Sequence, residues 1–193
     1  MAKPSHREKI LTAGMKVVHA QGFAGASVRD IVQAAGVPQG SFTNHFASKE
    51  AFGLEVINLY FVETRIAIAA TLGNDALPPL MRFGAFIDGN IADVKKDEMR
   101  NGCLFGNFAA EASDHSELMR NRLVAIFAEI RDAIAYCLKA AVTAGEISPG
   151  TDCEHLADFM VASLQGAQLM AKTRRSAEPL ERMKQTFFSS LLR

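Results

Sequence analysis

The chain has no tryptophan, only six prolines in 193 residues, and no run of about 18 apolar residues that could span a bilayer. It also lacks a signal core: the opening MAKPSHREKI is polar, which argues against secretion. Cysteine is scarce. Cys103, Cys137 and Cys153 are odd in number and widely spaced, which excludes a disulfide framework and a CxxC zinc site and points to a reducing, cytoplasmic setting. Net charge is also missing, since Lys plus Arg and Asp plus Glu both number 21. The charge is unevenly spread. Residues 1–50 hold six basic groups (Lys3, Arg7, Lys9, Lys16, Arg29, Lys49) against three acids (Glu8, Asp30, Glu50), a balance of +3 that leaves −3 for the remainder. A basic front and an acidic back suit a molecule that meets phosphate at one end.

What is present is helical. Ser27 to Phe52, SVRDIVQAAGVPQGSFTNHFASKEAF, reads as two short helices joined by a tight turn and followed by a third. Ser27 can cap the first, whose Val28, Ile31, Val32 and Ala35 recur at helical spacing. Gly36 stops it and Pro38 suits the turn. The second, Gln39 to Phe46, shows a polar face of Gln39, Ser41, Thr43, Asn44 and His45, while Phe42 and Phe46 anchor the other side. Gly40 and Ser41 at its start allow close approach to a phosphate. Ser48 then caps a third helix from Lys49. Taken singly, each polar residue could be a solvated surface position; as an ordered set they have the layout of a helix-turn-helix DNA reader.

GFAGASVRDIVQAAGVPQGSFTNHFASKEAF resembles the DNA-binding signature of the TetR family of bacterial transcriptional repressors, over about Arg7 to Leu54. The resemblance implies that Gln39 to Phe46 is the recognition helix, with Gln39, Gly40, Ser41, Thr43, Asn44 and His45 toward DNA and Ser27, Arg29 and Lys49 toward its backbone. Many members carry Lys at Gln39 and Tyr at Thr43, so a phosphate charge and an aromatic backbone contact differ here.

Further helices are expected over His6 to Gln21, Lys49 to Leu72, Pro79 to Lys95, Cys103 to Ala112, Ser116 to Ala144, Cys153 to Thr173 and Glu178 to Leu192, with breaks rich in Gly, Asn, Ser and Pro. No segment alternates like a strand. The expected fold is all-α, about nine helices, with a DNA-binding domain at 1–50 and a helical sensing and dimerisation domain at 51–193. The last two helices are apolar beyond one face: Leu156, Phe159, Met160, Ala162, Leu164, Gly166, Ala167, Leu169 and Met170, then Phe187, Phe188, Leu191 and Leu192. This surplus is either intrachain core or a twofold interface. The resemblance implies the interface, a homodimer whose two readers meet successive major grooves of a roughly palindromic double-stranded operator.

A second, narrower resemblance lies in GCLFGNFAAEASD (102–114) with GAQLMAKTRRSAEPLERM (166–183). Together they look like the TetR subgroup that senses electrophiles or oxidants through a cysteine, which implies Cys103 as sensor and Lys172 as its neighbour. A thiol at a helix N-terminus near an ammonium is favoured as reactive thiolate. The plainer reading makes Cys103 a small buried hydrophobe and Lys172 a solvated helix end. A competing signal is a noncovalent apolar inducer among Phe83, Phe86, Phe105, Phe108, Met119 and Phe127, a set that could equally be core.

Other classes fare less well. Glu111 with His115, and the cluster Asp152, Cys153, Glu154 and His155, fall short of a metal ligand set. No phosphate loop, serine elbow or triad appears, so neither an enzyme nor a cofactor is expected. A helical interaction module that does not bind DNA would share the fold.

Overall fold

The computed structural model describes residues 5–192. Lys3, counted above in the basic front, lies outside the described residues, and so does the side chain of Leu191. The described chain is all helical: α1 (His6–Gln21), α2 (Val28–Ala35), α3 (Ser41–His45), α4 (Lys49–Ala70), α5 (Pro79–Lys96), α6 (Leu104–Ala112), α7 (Glu117–Thr143), α8 (Cys153–Arg174) and α9 (Glu178–Thr186). A π-helical turn, Phe187–Leu191, replaces the expected straight run of the last helix to Leu192. The helix expected over Gln39 to Phe46 is also shorter, Ser41–His45. Pro38 to Gly40 form a tight turn in which Ser41 N–H donates to Pro38 O at 2.9 Å, and the helix proper follows.

Local chemistry explains most boundaries. Ser5 and Glu8 form a capping box on α1, and Ser27 and Asp30 form one on α2: Asp30 N–H donates to Ser27 Oγ at 3.1 Å and Ser27 N–H to Asp30 Oδ2 at 3.0 Å. Gly36 ends α2 in the left-handed region, with φ 63°. Ser48 Oγ accepts from Ala51 N–H at 3.0 Å at the start of α4.

The chain divides into two compact units. Of the described residues, those up to 62 with 104–124 form one, and 63–103 with those from 125 onward the other. In the first, Ile10, Val18, Ile31, Val32, Phe42, Phe46, Phe52 and Val56 are buried together with the buried face of α6. α1 comes close enough that a Cβ on Gly14 would lie 2.5 Å from the Phe52 ring and 2.8 Å from Ile31 Cγ2. Tyr60 stands edge-on to Phe105, with ring centroids 4.8 Å apart.

The second unit packs Phe83, Ile87, Ile91 and Val94 of α5, Ile130, Ile134, Leu138 and Ala141 of α7, and Ala157, Met160 and Leu164 of α8, each buried at helical spacing. Among its polar ties, one group gathers at the start of α5. Arg82, itself buried, pairs with Asp75 and donates through Nε to Leu77 O at 2.6 Å. The Tyr136 hydroxyl donates to the same Asp75 carboxylate at 2.9 Å, which holds its pKa above the ordinary value. No helix among the described residues is long and apolar enough to cross a membrane.

Candidate nucleic-acid interface and thiol site

Three rings set α3 in place. Phe42 and Phe46 lie with centroids 5.2 Å apart and each meets Phe52 of α4, at 5.4 and 5.2 Å; all three are buried. With the apolar side pinned, Gln39, Gly40, Thr43, Asn44 and His45 are all exposed. Ser41 differs. It is 8 % exposed at the first position of α3, so its side chain does not join that surface. Arg29 is exposed on α2. Ser27 is exposed too, but its hydroxyl is committed to the cap, donating to Asp30 Oδ2 at 2.5 Å. Lys49 turns back onto the α1–α2 connection, its ammonium 3.3 Å from Ala24 O and 4.9 Å above the Phe23 ring. The exposed set is polar and backed by rigid aromatic packing, as a surface that reads base edges and phosphates requires.

The α1–α2 connection has a partner that the sequence did not signal. Glu111, in the last turn of α6, accepts from Ala24 N–H at 2.8 Å. Its carboxylate occupies the space beside Gly22, where an added Cβ would lie 2.6 Å from Glu111 Oε1. Gly22 has φ 81° and ψ 159°, a conformation open to glycine. Beside it, Ser116 donates to Glu50, and Phe23, Lys49, Glu111, His115 and Met119 help line a cleft of about 310 Å³. Glu111 thus holds the α1–α2 connection, and His115 lines the cleft beside it. Among the described residues no three His, Cys, Asp or Glu side chains gather as a metal site.

Cys103 is half-buried and immediately precedes α6. The preceding Gly102 has φ 69°, and a Cβ there would lie 3.3 Å from Lys172 Cδ and 3.8 Å from Lys172 Cβ. The aliphatic stem of Lys172 therefore rests on the backbone next to Cys103. The other two thiols are buried: Cys137 donates to Pro79 O at 3.3 Å and burial pushes it up to about 11, while burial also raises Cys153.

The six residues considered for a noncovalent ligand divide equally between the units. Phe83, Phe86 and Phe127 belong to one, Phe105, Phe108 and Met119 to the other. Each ring set has its own packing: Phe83 against Phe187 and Phe188, Phe105 against Tyr60 and Phe61, Phe108 against Phe23.

Residues 10–56 match the model of bacterial regulatory proteins of the tetR family, and residues 79–187 match that of the tetracyclin repressor-like C-terminal domain. The chain belongs to the TetR family. Relatives within the family include the HTH-type transcriptional repressor DhaR of a Mycobacterium species, 36 % identical over 192 residues that cover 100 % of this chain and 95 % of DhaR. The HTH-type transcriptional repressor NemR of Escherichia coli is 32 % identical over 178 residues, covering 91 % of this chain and 88 % of NemR. Among solved structures, the regulatory protein TetR from Rhodobacter sphaeroides superposes with a TM-score of 0.89 at 27 % identity, covering 94 % of this chain and 96 % of that one. The reduced form of E. coli NemR superposes with 0.84 at 27 % identity, covering 93 % of each chain. These relatives are transcriptional regulators, and TetR-family proteins are typically dimeric and DNA-binding.

Proposed function

We propose that this TetR-family protein is a homodimeric repressor that holds a palindromic operator and lets go when an electrophile or oxidant modifies Cys103. Residues 1–50 bind DNA; residues 51–193 sense and pair. The observation that carries the DNA reading is the exposed Gln39, Thr43, Asn44 and His45 on a helix pinned by Phe42 and Phe46. Two copies related by a twofold axis offer that helix to grooves about 34 Å apart.

The covalent reading is supported by the Lys172 stem against Gly102, by the partial exposure of Cys103, and by the kinship to NemR, which has been solved in a reduced form. The thiolate attacks the electrophile, the ammonium of Lys172 favours that charge state, and the added bulk sits where the chain passes from one compact unit into α6 of the other. Pairing uses the apolar face of α8, where Phe159, Leu169 and Met170 are exposed.

The test is binding of reduced protein to DNA from its own upstream region, before and after a mild thiol-reactive electrophile, with Cys103→Ser alongside. Wild type is expected to dissociate and Cys103→Ser to stay bound. Release of both would put the modified group elsewhere, release of neither would point to a noncovalent inducer, and absence of salt-dependent binding would remove the DNA reading.

A further inference from the structure

Gln168, in the middle of α8, is 7 % exposed, and its Oε1 is a buried side-chain acceptor with no hydrogen-bond partner among the described residues. Its other end is fixed. Gln168 Nε2–H donates to Asn90 Oδ1 at 3.2 Å, and Asn90 Nδ2–H donates to the carbonyl of Phe86 at 2.9 Å. The Phe86 carbonyl can only accept, so the orientation of Asn90 is set, and with it that of Gln168. What the pair lacks is therefore a donor. A leucine would fill similar space without the cost of an unmet acceptor.

The position of that acceptor suggests its use. Gln168 and Lys172 are four residues apart on α8, on one face and about 6 Å along the axis. The Lys172 stem lies against Gly102, the residue before Cys103, and all of these groups belong to one compact unit. A chain of three or four heavy atoms attached to sulfur spans about one helical turn.

We propose that Gln168 determines which modifying groups the thiol site retains: its Oε1 accepts a hydrogen bond from a hydroxyl carried by the group attached to Cys103 Sγ. This rests on Cys103 being accessible to modification. The class of ligand is an electrophile that delivers a short chain ending in a hydroxyl, in preference to a hydrocarbon chain of the same size.

Hydroxyethyl and n-propyl groups are near-isosteric and differ by that hydroxyl. Both can be installed with the corresponding methanethiosulfonates. The Cys103 thiolate, having lost its proton to solvent, attacks the sulfenyl sulfur; a new S–S bond forms, the S–SO2 bond breaks, and methanesulfinate leaves with the electron pair. The adducts are then equilibrated in a redox buffer of 2-mercaptoethanol and 1-propanethiol at equal concentration with their disulfides in excess, so that Cys103 stays a mixed disulfide while one thiol displaces the other. Intact mass gives their ratio, peptide mapping with Cys103→Ser confirms the site, and reduced glutathione treated alike gives the intrinsic ratio.

Wild type is expected to favour the hydroxyethyl adduct about fivefold over the glutathione ratio, the size of one net hydrogen bond. Gln168→Leu should return to the glutathione ratio, and Gln168→Met serves if the leucine variant does not fold. A wild-type ratio equal to that of glutathione, or one that Gln168→Leu leaves unchanged, overturns the proposal. Adducts that show the preference while operator binding persists overturn the sensor reading alone. Refusal of either adduct by Cys103 overturns both.

Discussion

Gly22 and Glu111 meet at a point where backbone and side chain constrain each other. The glycine adopts a conformation that L side chains rarely take, and the space a Cβ would fill is held by a carboxylate that is itself bonded to Ala24 N–H. Gly22→Ala is expected to lose about 1–3 kcal/mol from backbone strain, read as a lower denaturant midpoint, and to weaken operator binding because the α1–α2 connection shifts. Unchanged stability would show that the turn has another conformation available. The cysteines sort themselves by the same local logic. With limiting alkylating reagent at mildly alkaline pH, Cys103 should react first and Cys137 last, because burial keeps the Cys137 thiol protonated up to about 11. Peptide mass mapping over time checks the order; early labelling of Cys137 contradicts it.

Helix limits were largely readable because they depend on neighbours in sequence. Ser27 with Asp30, Gly36, Ser48 and the proline before α5 each act within a few residues. Where an element departs from expectation, the cause is a local turn in one case and longer-range packing in the other. The turn from Pro38 to Gly40 shortens α3, and Phe187, packed against Phe83 and Phe159, lies at the start of the closing π turn. Ser27→Ala is expected to destabilise the reader by about 1 kcal/mol, measured by thermal unfolding; no change would mean the cap is dispensable. The cap also carries a pH signature. Hydrogen bonds from the Ser27 side chain and backbone hold the Asp30 carboxyl below its ordinary range. A depressed pKa means that the contribution is fully present above the ordinary value, near pH 4, and is lost as pH falls through the lower folded value. Helical signal in wild type should therefore fall more steeply in acid than in Asp30→Asn, and parallel curves would contradict the cap's charge dependence.

At the scale of the whole molecule, sequence periodicity gave the helices but not their long-range ties. Glu111 to Ala24 and Gln168 to Asn90 join residues 87 and 78 apart, and nothing local marks either. Core and pocket phenylalanines look alike in a sequence for the same reason: only packing shows that Phe105 and Phe83 belong to separate units. The reader was legible because its anchors and its polar face alternate within one short segment. The apolar surplus on α8 was legible as well, and Leu169 is 63 % exposed. Leu169→Glu is expected to give a monomer by light scattering and at least tenfold weaker operator binding, since a charge facing its twofold copy is buried against itself. A variant that stays dimeric would move the interface elsewhere.

The absence of tryptophan gives the two tyrosines an experimental value. Tyr60 lies edge-on to Phe105 in one unit, and Tyr136 is bonded to Asp75 in the other. Each unit thus carries a single intrinsic fluorophore with a distinct environment, the second beside a carboxylate able to quench it by taking the excited-state proton. Replacing either with phenylalanine leaves emission from one unit alone, so the order in which the two units respond to a modified Cys103 can be followed by stopped flow without attaching any dye.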